Sequence, residues 1–360
     1  MVEKIAHKLT RNPRLVALIA VLLLIPSALG YIGTRVNYDI LTYLPQDLES
    51  SQGERLLEEP FHMAATSMLI VEDMPAAYTN SLIYAIRQVP NVSNAVWLSN
   101  AVGIQIPIDF IPANLRDMFY AGDATMIIIQ YDKSGADEDT MKAIQAVRDI
   151  CNEKCFLAGF SVVIKDTKDL VDRELPVYVA LAVVLSLIAM SLTMESVVLP
   201  FVFLASIGMA IVYNFGTNIL LGQISYITKA IAAVLQLGVT MDYSIFLYHR
   251  YLEEKSRYED KRDAMTQAIV AAFTSLSGSS LTTIAGFIAL CFMRLTLGRD
   301  IGIVMAKGVV LGVATVILVL PALLLLFDKQ IEKHKLGQIH LNRHHSLPYP
   351  ALIIGHSAFG

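Results

Sequence analysis

A single carboxylate lies near the middle of an apolar stretch that is long enough to cross a bilayer. The stretch covers residues 225–250, SYITKAIAAVLQLGVTMDYSIFLYHR, and the acid is Asp242. An acid at that depth costs roughly 2.5–3.5 kcal/mol on insertion scales, and such residues usually face a protein interior or a wet cavity. Arg250 is predicted to anchor this helix at the cytoplasmic surface of the membrane, and Asp242 lies about 12 Å before it along a helix. Asp242 is therefore predicted to lie deep in the hydrocarbon core.

Reversible protonation is the chemistry that this position favours. A carboxyl group shielded from water favours its neutral form, so it can take up and release a proton near neutral pH. Tyr243 can donate or accept a hydrogen bond beside it, and Gln236 and Thr240 add polar groups to the same helix. Gly238, one turn before Asp242, would let a neighbouring helix approach closely. The competing interpretation is a structural polar contact that holds helices together.

Two further features could support a protonation site. The apolar run 268–293 is rich in hydroxyls, among them Ser277 and Ser280, which could hydrogen-bond the acid or serve ordinary packing of small residues. Lys307 is a second ionisable residue inside an apolar run. Three arrangements stay open for it: a pair with Asp300 on the same face, extension toward the membrane surface, or contact with Asp242.

The composition excludes several classes of protein. The chain is 55% hydrophobic and 17% charged, whereas a soluble domain carries about 25% charged residues. A net charge of −4 without a basic stripe argues against a nucleic-acid partner. Cys151, Cys155 and Cys291 are too few for a disulfide framework. No nucleophile–base pair and no metal-ligand spacing stands out, so the sequence predicts neither an enzyme nor a metal or cofactor site.

Apolar runs of spanning length predict a membrane bundle of six transmembrane helices. They occupy residues 15–32, 175–192, 197–215, 225–248, 268–293 and 301–327. A cleaved signal peptide is the alternative for the first run, although the run is long for that purpose. If each run crosses the membrane once, the basic segments 1–14, 249–265 and 329–335 all lie on the same side of it. That distribution predicts a multi-pass protein with both termini in the cytoplasm.

Residues 33–174, between the first two runs, are polar and mixed in pattern. They predict strands over 64–71, 92–99, 125–132 and 156–165, with helices over 78–89 and 138–150. Two strand–helix–strand units predict an α+β ferredoxin-like domain outside the cytoplasm. The segment 328–360 is predicted to be a cytoplasmic tail, and from residue 336 its composition favours disorder over a metal site built from its histidines.

Three segments resemble a known family. LQLGVTMDYSIFLYHRYLEE (235–254) resembles the fourth transmembrane helix of the MMPL family, within the RND (resistance-nodulation-division) transporters. NYDILTYLP (37–45) resembles the segment that leads into their external porter domain, and LGRDIGIVMAKGVV (297–310) the start of their sixth helix. The resemblance covers about residues 1–335. It implies a proton-motive-force-driven exporter of lipids or other hydrophobic molecules in the bacterial cytoplasmic membrane. Asp242 and Tyr243 would be its proton relay, and residues 33–174 its porter domain.

One departure from the family concerns the number of repeats. Family members hold two such repeats with an Asp-Tyr pair in each, whereas this sequence contains one. Two copies could pair around a two-fold axis, or the chain could be a truncated part of a longer gene product. The expected partners are membrane lipids, a hydrophobic substrate, and a second copy or second repeat. The alternative function is a non-transporting scaffold or sensor whose six spans resemble a sterol-sensing arrangement.

Overall fold

Long apolar helices dominate the architecture. The computed structural model describes residues 2–58, 65–98 and 112–334. In chain order the helices are α1 (Val2–Arg11), α2 (Pro13–Gly33), α3 (Glu49–Glu58), α4 (Ala76–Arg87), α5 (Ala113–Phe119), α6 (Glu138–Ile150), α7 (Phe160–Thr193), α8 (Val198–Gly216), α9 (Tyr226–Lys255), α10 (Lys261–Leu290), α11 (Thr296–Leu318) and α12 (Leu320–Lys333).

Within the described residues, six of these helices are long and apolar enough to cross a membrane: α2, α7, α8 with the short 3-10 turn that follows it, α9, α10 and α11. The chain is therefore a multi-pass membrane protein built as a helical bundle. The apolar run 301–327 is divided between two helices, because α11 ends at Leu318 and α12 begins at Leu320. Pro321 lies in the first turn of α12, where the N–H that proline lacks would have no partner in the helix. The same lack of an N–H prevents α11 from continuing through this position.

An α/β domain lies between the first two spans. Its strands are β2 (Ala65–Glu72), β3 (Val92–Val96), β4 (Tyr120–Ala121), β5 (Ala124–Tyr131) and β6 (Cys155–Ala158), while β1 (Arg35–Asn37) and β7 (Gln223–Ser225) form a separate pair. The larger sheet has the order β3-β5-β2-β6 with antiparallel neighbours, and β4 pairs with β5. Alternate residues of β5 point inward, so Ile127, Ile129 and Tyr131 are fully buried in the core. Helices α4 and α6 and the neighbouring strands β2 and β3 contribute further buried residues to that core.

The strand predicted over 156–165 is wrong beyond its first residues. Strand β6 ends at Ala158, and α7 begins at Phe160. Gly159 stands between them with φ +120°, a backbone conformation that only glycine adopts readily, and an added Cβ would meet the Ser67 backbone. The residues buried after this turn, such as Val162 and Lys165, follow helical spacing. One continuous helix therefore connects the sheet to the second span.

A short parallel pair joins the α/β domain to the membrane bundle. Strand β1, directly after α2, pairs with β7, directly before α9, in the register Arg35↔Gln223 to Asn37↔Ser225. The Ser225 hydroxyl then accepts from the Ile227 N–H at 3.2 Å and caps α9. This arrangement fixes the start of the helix that carries Asp242.

Helices α2 and α8 cross with their backbones in close contact. An added Cβ at Gly216 would lie 2.7 Å from the carbonyl carbon of Ser27, and closer still to its Cα and O. Gly30 is equally close to the Gly216 backbone. Small residues of this kind let two membrane helices pack backbone against backbone.

Candidate functional site

Asp242 and Tyr243 lie on different faces of α9. Successive residues of an α-helix differ by about 100° around its axis, so only one of the two faces the core. Tyr243 is 7% exposed and packs in the main hydrophobic cluster of the bundle. Asp242 is exposed on the outer surface of the bundle. Its carboxylate makes no hydrogen bond or ion pair with any residue that the structure describes.

No helix among the described residues covers the surface around Asp242. Gly238 lies one turn earlier on the same face, and an added Cβ there would meet nothing within 4 Å. The close approach predicted at Gly238 is therefore not made within the described chain. On α10, Gly278 and Gly286 also face open space, and Ser279 and Thr282 are exposed beside them. We call these residues of α9 and α10 the uncovered face.

Gln236 lies two turns from Asp242 on α9 but belongs to the interior of the bundle. It is 3% exposed. Its side-chain N–H groups donate to the carbonyls of Ala210 at 3.1 Å and Gly308 at 3.3 Å, and its Oε1 accepts from Asn214 Nδ2 at 2.8 Å. Gln236 thus joins α8, α9 and α11 through a buried polar cluster.

Lys307 lies on the other side of that cluster. Its Nζ donates to the Asn214 carbonyl at 2.9 Å, Thr217 Oγ1 at 2.8 Å and Asn218 Oδ1 at 2.5 Å. These acceptors stand at the C-terminal end of α8, where a cation is favoured by the helix dipole. The ammonium group is thereby satisfied by neutral oxygens inside the bundle.

None of the three arrangements predicted for Lys307 is adopted. Asp300 instead accepts from the Ser225 N–H at 2.8 Å and from Thr228 Oγ1 at 2.5 Å. It anchors the start of α11 to the start of α9, so its oxygens are already engaged. Lys307 turns inward to α8 rather than outward to the membrane surface, and it does not contact Asp242.

The remaining predicted residues serve helix packing. Thr240 is 1% exposed and lies against Gly312 of α11, whose added Cβ would be 2.7 Å from Thr240 Oγ1. Ser280 donates to the Ser277 carbonyl at 3.3 Å, within its own helix. The structure therefore brings Gln236 and Lys307 into one cluster, and it does not join Ser277 or Ser280 to Asp242.

Sequence analysis missed Asn214, Thr217 and Asn218, which supply most of the partners in the polar cluster. The sequence did indicate such a cluster, since two asparagines occur in an otherwise apolar run. An amide in hydrocarbon requires hydrogen-bond partners. Asn214 Oδ1 and Asn218 Nδ2 remain without partners although both residues are fully buried. This cluster thus places several amide and hydroxyl groups inside the bundle, two of them with an unpaired polar atom.

No group of three or more histidine, cysteine or acidic residues that could hold a metal ion occurs in the described parts of the chain. The histidine-containing tail 336–360 lies outside the described residues. Cys151 and Cys155 are free thiols, and burial raises the pKa of Cys151 to about 12, with further contributions from Cys155.

Comparison with known proteins gives consistent matches. The model of the MMPL family matches residues 62–345. The chain is 27% identical over 333 residues to the putative membrane protein ActII-3 of Streptomyces coelicolor, covering 88% of this chain and 45% of that protein. It is 27% identical over 188 residues to the mycolic acid-containing lipids exporter MmpL11 of Mycolicibacterium smegmatis, covering 48% of this chain and 20% of that protein.

Solved structures give a more distant match. A crystal structure of SecDF, a translocon-associated membrane protein from Thermus thermophilus, is 13% identical with a TM-score of 0.49, covering 89% of this chain and 38% of that one. The matched part of this chain covers 45% of ActII-3, 59% of a putative membrane protein from Methanocaldococcus jannaschii and 20% of MmpL11.

Proposed function

This chain belongs to the MMPL family of the RND superfamily, and on that basis we propose that it exports lipids or other hydrophobic molecules, driven by the proton-motive force. The observation that carries the proposal is the uncovered carboxylate of Asp242 on a membrane-spanning helix. A charged group in contact with lipid is costly, and intramembrane acids usually mark ion pathways or protein contacts. Moving one charge across the membrane is worth about 2.3 kcal/mol per 100 mV, which supplies the energy for transport.

In this proposal Asp242 and Tyr243 form the proton relay. The position of Asp242 on the uncovered face supports a role that is completed by a second repeat. That repeat is a second copy of this chain around a two-fold axis, or an equivalent repeat in the same transporter. The open space at Gly238 and Gly278 supports this pairing, because glycines let helices from two copies approach closely.

We also propose that the α/β domain is a ferredoxin-like porter domain that guides the cargo. Its support is the strand order β3-β5-β2-β6, which is the order that two interleaved β-α-β units produce. We assign it to the extracytoplasmic side of a bacterial cell membrane, with both termini in the cytoplasm. The basic residues at the opposite end of the bundle, such as Lys4 and Arg11 of α1, support this orientation.

The test is proton-dependent efflux of a fluorescent lipid from vesicles that contain the full chain and carry an imposed pH gradient. We expect Asp242→Asn to abolish flux and Tyr243→Phe to reduce it. Glu253→Gln is the matched control, since Glu253 is an exposed acid beyond the apolar part of the same helix. Proton-dependent flux in Asp242→Asn would refute the relay. A folded, inserted wild type that moves no probe under any gradient would favour the scaffold or sensor alternative.

Pairing is tested separately by cross-linking. A cysteine introduced at Gly238 should form a disulfide between two copies in the membrane, whereas one at Leu181, an exposed position on α7, should not. Cross-linking at Leu181 alone would contradict pairing through the uncovered face.

A further inference from the structure

Helix α1 packs against the membrane bundle through one of its faces. Ala6 is 1% exposed and belongs to the main hydrophobic cluster of the bundle. Thr10, one turn later on the same face, shares a buried hydrogen bond with Thr266 of α10 at 2.8 Å. The helix also contacts α12. These contacts hold α1 at the end of the bundle opposite the α/β domain, because α2 follows α1 directly and leads into β1 at its other end.

The opposite face of α1 is basic. Lys4, Lys8 and Arg11 follow one another at intervals of four and three residues, so they form one stripe along the helix. At about 100° per residue, this stripe lies on the side away from Ala6. All three side chains are exposed, and Lys4 and Lys8 make no ion pair with any residue that the structure describes. Arg11 approaches Asp263 of α10 at 3.9 Å, the outer limit for an ion pair. Both lysine ammonium groups thus remain available to a partner outside the described chain.

An exposed apolar side chain lies between the basic stripe and the packed face of α1. Ile5 is 51% exposed, and it is turned about 100° from Ala6 around the helix axis. Leu15 and Leu18, at the start of α2, are exposed as well. Because α2 is a candidate membrane span, these leucines face lipid chains. An apolar edge beside a row of cations is typical of a helix that lies along a membrane surface, with its apolar side toward the acyl chains.

We propose that α1 binds the headgroups of anionic phospholipids in the adjoining leaflet through Lys4, Lys8 and Arg11. Charge complementarity selects this partner, since an anionic leaflet places negative charge beside an apolar layer, and α1 places cations beside Ile5. Lys4 and Lys8 repel each other at a spacing of four residues on a helix, and lipid phosphates would neutralise that repulsion. Because α1 continues into α2 and packs on α10, bound lipid holds the start of both spans at the headgroups. This binding requires no transport.

Quenching of a fluorophore on α1 tests this assignment. An NBD group is attached to Ile5→Cys in a full chain whose three native cysteines are replaced by serine, and the protein is placed in nanodiscs of phosphatidylcholine. The quencher is a lipid spin-labelled in its chain, with either a phosphatidylglycerol or a phosphatidylcholine headgroup. We expect phosphatidylglycerol to reach half-quenching at the lower content. Lys4→Gln/Lys8→Gln should raise that content about 25-fold, since each cation near an anionic headgroup contributes about fivefold, and should leave quenching by phosphatidylcholine unchanged.

Matched controls separate charge from structure. Lys4→Arg/Lys8→Arg should keep the preference for phosphatidylglycerol, because both charges remain. Lys142→Gln/Lys154→Gln, at exposed positions of the α/β domain, should keep it as well. A fluorophore at Leu29→Cys, exposed near the other end of α2, should report no preference that Lys4→Gln/Lys8→Gln alters.

Three outcomes would overturn the assignment. The first is equal half-quenching by the two lipids when the basic stripe is intact. The second is a preference for phosphatidylglycerol that survives in Lys4→Gln/Lys8→Gln. The third needs no substitution in the stripe: raising the salt concentration from 0.1 M to 1 M shortens the screening length from about 10 Å to about 3 Å, so a preference that does not fall with salt is not electrostatic.

Discussion

Replacing Gly216 by alanine should destabilise the protein, and Gly208→Ala on the same helix should not. At Gly216 the new Cβ would lie 2.7 Å from the Ser27 carbonyl carbon, against at least 3.4 Å for ordinary contact. The obstacle is backbone, so no side chain can rotate away, and α2 and α8 must separate by about 1 Å or deform. At Gly208 nothing lies within 4 Å of the new atom.

The magnitude follows from two opposing effects. Overpacking costs about 1–3 kcal/mol, while alanine gains at most about 1 kcal/mol over glycine in a helix. We therefore expect Gly216→Ala to lose about 1–2 kcal/mol and Gly208→Ala to be neutral or slightly stabilised.

Thermal unfolding of both variants in the same detergent measures the difference in stability. Equal stability of Gly216→Ala and Gly208→Ala would refute the close crossing of α2 and α8.

Two further predictions concern groups outside the relay. Lys307→Met should destabilise the bundle by about 1–3 kcal/mol in thermal unfolding, because it leaves buried acceptors at the end of α8 without a donor. Lys329→Met, at an exposed position, is its control. Equal stability of the two variants would contradict the buried polar cluster. The raised pKa of Cys151, about 12 instead of 9.0, should make it about a thousand-fold less reactive than a free thiol near pH 8, with alkylation increasing as the pH approaches 12. The measurement follows alkylation of Cys151 in the unaltered chain by peptide mass spectrometry, since Cys155 contributes to the raised pKa. Alkylation at the rate of free cysteine would show that the thiol is not buried.

The membrane helices could be predicted from the sequence because hydropathy is a local property. The run 225–250 predicted the helix that the structure shows as Tyr226–Lys255, and its start is marked by the capping residue Ser225. The exposure of Asp242 could not be predicted, since it depends on which helices pack around α9. The sequence had indicated only that the acid needed a partner or water.

Contacts between distant segments account for what sequence analysis missed. Lys307 had a plausible acid two turns away, yet its partners come from the end of α8, some ninety positions earlier in the chain. The strand predicted over 156–165 failed because a run of β-branched residues after Gly159 suits a buried helix face as well as a strand. Periodicity over so few residues does not distinguish the two.

The unbroken course of α7 has a mechanical consequence. Its 34 residues form a rod about 50 Å long, which is rooted in the sheet by Gly159 and continues into the bilayer. If the sheet tilts, a straight helix of this length moves sideways at its membrane end. Pro176, near the middle of that rod, removes one of its internal hydrogen bonds, so bending costs less there. Bending there would shift the second span relative to α8, against which it packs, so that movement of the α/β domain reaches the membrane bundle.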